Sequence, residues 1–244
     1  LVGSEMCIRD RITGSSVWLA FLVAALCILP AVLSKSELGT AMPKSGGTYV
    51  YIERAFGPLF GTIAGIGLWL SLLLKSSFSL VGLSAYLYVV VNIDEAYTKA
   101  IALLALLLIF LLNVFGLKKV EKTQLFIVSV SIISLIGIIV LGFGSFDTKL
   151  TEPVFTEGTN GFIAGVAFLY ISYAGVTKIA AIAGEIKNPA KNLPLTMIIS
   201  LFLITTIYCL VALVLVGNVE ASILATDIKP IHTLFQTIGG DTFG

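Results

Sequence analysis

Apolar residues in this chain do not alternate with polar ones; they gather in six runs, at 17–34, 58–91, 99–115, 123–144, 161–183 and 195–217. A helix that crosses a bilayer needs about 20 apolar residues. No strand-length alternation or barrel pattern accompanies the runs, and lipid requires each backbone polar group to be satisfied within its own segment. The pattern therefore predicts an all-α polytopic membrane protein with about six transmembrane helices. At about 1.5 Å per residue the second run would reach about 50 Å, so it must tilt or extend past the bilayer.

Composition fits that class. Of 244 residues, 57% are hydrophobic and 12% charged, whereas soluble domains carry about 25% charged residues. So few charges could not cover a soluble exterior. The net charge of +1 is uninformative, but the placement of the cations is not. Lys35, Lys44, Arg54, Lys118, Lys119, Lys122, Lys187 and Lys191 fall in alternate loops, against Lys99, Lys149 and Lys229 in the others. By the positive-inside rule the loops 35–57, 116–122 and 184–194 face the cytoplasm. Cys7, Cys27 and Cys209 show no metal or redox spacing and read as small packing residues. His232, outside every run, reads as a surface histidine. The opening "LVGSEMCIRDR" resembles translated sequencing-adapter read-through, so residues 1–11 are expected to be a non-native scar. Residues 218–244 are expected to form a truncated extracytoplasmic segment.

Two lysines stand inside the runs. A charged lysine at mid-bilayer costs roughly 2.5–3.5 kcal/mol on insertion scales. Lys75 is some 16 residues from either end of its run, about 24 Å of helix, beyond the reach of its own side chain. It is expected to face a polar cavity or a buried partner. Ser71, Ser76 and Ser79 lie on the same helical stripe, although serines also serve as small packing residues between membrane helices. Lys178 lies about 10 Å from the cytoplasmic end of its run, where snorkelling, an ion pair or a functional role are all open.

The fifth run carries a second signal. In "AFLYISYAGVTKIAAIAGEIKNP", Ser172, Tyr173, Gly175 and Thr177 interrupt the apolar residues at mid-run. Glycine weakens a helix by about 1 kcal/mol relative to alanine. Local unwinding there would line a protein-walled cavity whose free carbonyls and amides could bind a zwitterion. A tight helix crossing through Gly175 is the alternative.

The segments "SKSELGTAMPKSGGTYVYIERAFGP" and "AGVTKIAAIAGEIKNPAKNLP" resemble the amino acid–polyamine–organocation permeases, in the right order and spacing, and the likeness covers nearly everything from Ile12 onward. The resemblance implies a partial leucine-transporter-like fold, built from inverted five-helix repeats. The six runs then correspond to the second to seventh family helices, within a permease domain over 12–217. It implies secondary active transport of amino acids by alternating access, proton-coupled or exchanging, across the cell membrane. Phe168, Ile171, Ser172, Tyr173, Ala174, Gly175 and Thr177 match the broken sixth helix, where carbonyls around Ile171 and Ala174 would receive the substrate amine. Ile171 would take the place of an aromatic lid, and Thr177 stands where some relatives carry a glutamate. Ser71, Lys75 and Ser76 fall on the third helix, lining the same cavity, and Lys75 is the candidate for a coupling proton. Pro43, Gly46 and Gly47 belong to a cytoplasmic positioning loop near the inner gate, with the following helix beginning at "YVYIERAFGP".

Other classes fit less well. An intramembrane enzyme needs a nucleophile–base pair or metal ligands at membrane depth, and no run holds a histidine or paired acids. A polyamine carrier would want cavity carboxylates, whereas the charge here is positive. No cofactor, metal or nucleic-acid partner is expected; the partners are an amino acid substrate, lipid and possible coupling protons.

Overall fold

The computed structural model describes residues 14–91, 98–114, 117–151, 158–224 and 230–239. Every regular element among them is helical. After a 3-10 turn at Gly14–Ser16 come α1 (Val17–Ala41), α2 (Thr48–Phe56), α3 (Pro58–Val91), α4 (Thr98–Val114) and α5 (Leu117–Gly144). A second 3-10 turn (Thr148–Thr151) precedes α6 (Gly158–Ser172), which runs into a long 3-10 segment (Tyr173–Glu185). The order closes with α7 (Pro189–Asn218), α8 (Ala221–Leu224) and α9 (Pro230–Gly239). Five described stretches are long and apolar enough to cross a membrane: Gly14–Ala41, Pro58–Ser77, Lys122–Gly144, Gly158–Glu185 and Pro189–Asn218. Ala100–Leu111, inside α4, is apolar but shorter. Residues 1–11, Phe115 and most of the loop before α6 lie outside the described residues.

The centre is a seam along α1. Val17, Ala20, Phe21, Ala24, Ile28 and Val32 recur at three- and four-residue steps and are almost wholly buried. That stripe packs mainly on α7 and on α6 with its 3-10 extension. Lipid tails are as apolar as leucine, so burial from water supplies little between membrane helices. Close van der Waals contact must do so, and small residues such as Ala20 and Ala24 let the backbones approach. α1 and α7 run antiparallel: Gly39, late in α1, faces Leu193, early in α7. At the other end the Cys209 thiol of α7 lies 3.4 Å from the Trp18 carbonyl of α1.

Three aromatic rings join the three elements. Phe21 of α1 meets Tyr173 edge-on at 6.4 Å and Tyr208 of α7 at 5.2 Å, and the two tyrosine rings are 6.0 Å apart. Offset and edge contacts of this kind suit ring quadrupoles. The Tyr173 hydroxyl donates to the Phe21 carbonyl at 3.1 Å, so the ring is held by its polar end as well. By contrast α3, α4 and α5 leave Trp69, Leu103, Phe110, Phe126 and Ile133 exposed, a surface matched to hydrocarbon rather than water.

Residues 49–56, expected to open the following span, form their own helix. Gly57 adopts φ 90°, a conformation open to glycine and strained for other residues, and it ends α2. Pro58 then starts α3 at the one helical position where its missing N–H costs nothing. α2 folds back on α3. The first run, expected to end at residue 34, continues as helix to Ala41, which takes Lys35 out of the loop and into α1. His232, expected at the surface, is half-buried in α9, and Cys27, expected to pack, is exposed.

Ala24→Leu would force a larger side chain into the α1 seam and is expected to destabilise the protein by about 1–3 kcal/mol. Thermal unfolding in detergent measures this, and an unchanged midpoint would show that α1 is not in close contact.

Candidate functional site

The α6 segment changes character at mid-run. Its α-helical part ends at Ser172, and a 13-residue 3-10 segment follows. Runs of 3-10 helix beyond 3–4 residues are uncommon, and a long one inside a helix marks a hinge or strain. At about 2.0 Å per residue this tighter winding extends residues 173–181 by roughly 4–5 Å over an α-helix of equal length. A further kink falls at Ile182, with φ −106° and ψ 19°.

Local sequence explains the switch. Tyr173 is fixed by the Phe21 carbonyl and two rings, which sets the start. Gly175 and the β-branched Val176, Thr177 and Ile179 are poor α-helix formers. The Thr177 hydroxyl donates at 3.0 Å to the carbonyl of Ala174, three residues back, a side-chain bond that bends helices.

Of the residues expected to bind substrate, Tyr173 and Thr177 are buried, Phe168, Ser172 and Ala174 half-buried, and Ile171 and Gly175 exposed. A Cβ added at Gly175 would meet nothing within 4 Å. Gly175 therefore makes no tight crossing with another described helix; its face is open. On α3, Ser71 and Ser76 are exposed and Lys75 is half-buried. The Ser76 hydroxyl donates to its own helix, at the Leu73 carbonyl, 2.8 Å away. Lys178, on the 3-10 segment, is half-buried, and α3 packs mainly on α2 and α4.

Lys35 is the residue that loop counting missed. Its Nζ donates to Thr177 Oγ1 at 3.3 Å, so one hydroxyl accepts a hydrogen bond from the ammonium and donates one to the Ala174 carbonyl. Lys35 is half-buried and Thr177 is 8% exposed. The signal was in the sequence: Lys35 follows Val32 by three residues and Ile28 by seven, the spacing of the buried stripe.

The motif of Pro43, Gly46 and Gly47 docks on the far part of the same segment. The Gly46 N–H donates to the Ala181 carbonyl at 3.0 Å, and the Tyr51 hydroxyl to the Ala180 carbonyl at 3.3 Å. Gly47 has φ 56°, and a Cβ there would stand 3.0 Å from the Ala181 Cα, so both the turn and the approach call for glycine. Pro43 is exposed at the start of this turn. Burial raises the Tyr51 phenol above its ordinary range, and a hydrogen bond and charge from Glu53 do the same for Tyr49. Both phenols are therefore neutral donors near neutral pH. Among the described residues no group of three or more His, Cys, Asp or Glu could hold a metal ion.

Tyr51→Phe leaves the Ala180 carbonyl without this donor and is expected to cost about 1 kcal/mol. It should also speed amide hydrogen exchange across residues 180–186. Exchange there matching the unsubstituted protein would refute the docking role.

A family model described as amino acid permease matches residues 7–244. The serine/threonine exchanger SteT of Bacillus subtilis is 28% identical over 232 residues, covering 91% of this chain and 52% of the relative. The branched-chain amino acid permease BcaP of Lactococcus lactis is 28% identical over 255 residues, covering 95% and 55%. The chloroplastic cationic amino acid transporter 7 of Arabidopsis thaliana is 26% identical over 223 residues, covering 82% and 38%. The chain thus spans about half the length, or less, of these relatives. Its helices and these matches make it a multi-pass membrane protein among transporters rather than enzymes. It belongs to the amino acid permease family.

Proposed function

We propose that the chain supplies the second to seventh helices of a secondary active amino acid transporter, working by alternating access and coupled to protons or to exchange. The assignment makes α1 the second helix and α7 the seventh, equivalent members of two inverted five-helix repeats. An inverted repeat relates equivalent helices by a two-fold axis in the membrane plane, and the antiparallel pairing of α1 with α7 agrees with it. α3, α4, α5 and α6 follow as the third to sixth helices, with α4 the shortest.

The observation that carries the reading is the change from α to 3-10 winding at Ser172–Tyr173, where the sequence places the substrate site. A segment that no longer follows the α pattern presents its carbonyls at new angles, and at membrane depth it is tolerated only inside protein or along a wet cavity. Carbonyls near Ile171 and Ala174 would take the substrate ammonium. Ala174 O already accepts from Thr177, but a carbonyl has a second lone pair. The open side of Gly175 and the exposed Ile171 give the substrate its approach. Phe168, Ser172 and Tyr173 flank these positions, and Ser71, Ser76 and Lys75 of α3 would line the same cavity in the full-length permease. Lys75 is the proton-coupling candidate, as the lysine set deepest within its apolar run. Loops 35–57, 116–122 and 184–194 are cytoplasmic in this arrangement, and the membrane is the cell membrane. A polyamine carrier of the same fold is the competing reading, and the lysines around Thr177 disfavour it.

The test is uptake by the full-length permease carrying this chain, in liposomes, across a panel of amino acids with and without an inward proton gradient. Accumulation of at least one amino acid is expected, and Lys75→Ala should lose the gradient-driven part while keeping exchange. Uptake of polyamines alone would overturn the reading, and an unchanged gradient response in Lys75→Ala would remove the coupling role.

A further inference from the structure

One cation beside the change of winding has donors to spare and no counter-ion. Lys35, late in α1, is half-buried. An ammonium carries three N–H donors. Among the described residues Thr177 Oγ1 is its only hydrogen-bond partner, at 3.3 Å, just past the usual range. That partner is neutral, and among the described residues no carboxylate pairs with the lysine. Glu37 and Glu185, the acids of the two elements it joins, are both exposed. Taking a charge partly out of water is costly unless an opposite charge answers it. The position calls for an anion.

The same hydroxyl sets the ammonium close to an acceptor of the opposite kind. Thr177 donates at 3.0 Å to the Ala174 carbonyl, so two successive hydrogen bonds at most separate Lys35 Nζ from that oxygen. Beside the carbonyl the face of Gly175 is open. A cation and a bare carbonyl at this spacing match the two ends of a zwitterion.

We propose that Lys35 binds the α-carboxylate of the transported amino acid while the Ala174 carbonyl holds its ammonium. This rests on the amino acid permease reading and adds a recognition group to the same site. The dimensions agree. Within an α-amino acid the nitrogen and a carboxylate oxygen lie about 3 Å apart. Charge-assisted hydrogen bonds of about 2.7–2.9 Å would extend from each end. Three such links, bent at the substrate, cover a gap no longer than the two bonds through Thr177. The lysine need not release Thr177, because its other two donors take the carboxylate. A hydrogen bond between two charged groups is roughly twice as strong as a neutral one, so the substrate gains more from Lys35 than the hydroxyl does. A lysine that only tied α1 to the 3-10 segment would need the Thr177 bond alone, and would not distinguish a carboxylate from an amide.

The experiment uses the full-length permease carrying this chain, in liposomes, with the amino acid it transports best as labelled substrate. Unlabelled amino acid and its carboxamide, which keeps the amine and side chain but loses the negative charge, compete for uptake. The unsubstituted protein should prefer the amino acid at least about tenfold. Lys35→Gln should raise KM about tenfold or more with a much smaller change in kcat, and should lower the preference over the amide by a similar factor. Lys35→Arg, which keeps a cation able to bind a carboxylate, should retain most of the preference. Should Lys35→Gln fail to fold in detergent, Lys35→Met, an unbranched good helix former, takes its place. An amide that competes as well as the amino acid would overturn the carboxylate role, as would a preference unchanged by loss of the charge. Folded, unsubstituted protein that moves no amino acid would instead overturn the permease reading beneath it.

Discussion

A helix that leaves α geometry inside a membrane must find new partners for its peptide groups, and the rest of this structure is arranged around that need. In hydrocarbon no water is at hand to receive a bare carbonyl, and each unsatisfied group costs several kcal/mol. The 3-10 segment after α6 finds partners from three directions. Thr177 serves Ala174 from within, Tyr51 serves Ala180 from α2, and Gly46 serves Ala181 from the turn before it. The segment from the turn at Gly46 to α2 is thus part of the helix's own hydrogen-bonding, which gives Gly46, Gly47 and Tyr51 a physical reason to stand where they do.

Much of this was legible from residue order. Run length and charge were enough for an all-helical membrane chain, and the cluster Ser172, Tyr173, Gly175 and Thr177 pointed to the place where α6 changes winding. The form of the change was not legible. Glycine and hydroxyl residues indicate weak helix propensity, but whether a weak helix opens, kinks or tightens depends on what grips it. Here Tyr173 is held by the Phe21 carbonyl, 152 residues away in sequence. No local pattern encodes such a contact.

Lys35 shows a different limit. Counting cations between apolar runs assigned it to a loop, because hydrophobicity falls at Ser34. Helix periodicity runs on past that fall: Ser36 and Gly39 remain on the buried face, and α1 continues to Ala41. Hydropathy reports where lipid ends, while periodicity reports where helix packing ends, and at the C-terminal end of α1 the two boundaries differ by about two turns. A polar residue caught between them sits in protein rather than in water or lipid, which is why Lys35 meets Thr177.

The same contrast indicates which contacts a transport cycle could exchange. The α1 seam with α6 and α7 is continuous and apolar, anchored by Phe21, Tyr173 and Tyr208, and separating it would open voids that nothing nearby fills. The contacts toward the C-terminal end of α1 are individual hydrogen bonds: Lys35 to Thr177, Tyr51 to Ala180 and Gly46 to Ala181. Each is worth about 1 kcal/mol net, because water can replace the partner once it enters. An inward opening would therefore part these bonds first and leave the seam whole. The kink at Ile182, just beyond Ala181, lies where such a motion would bend the chain. In the proposed transporter, α1 with α7 would be the rigid body that alternating access needs, and the 3-10 segment with its loop the yielding edge.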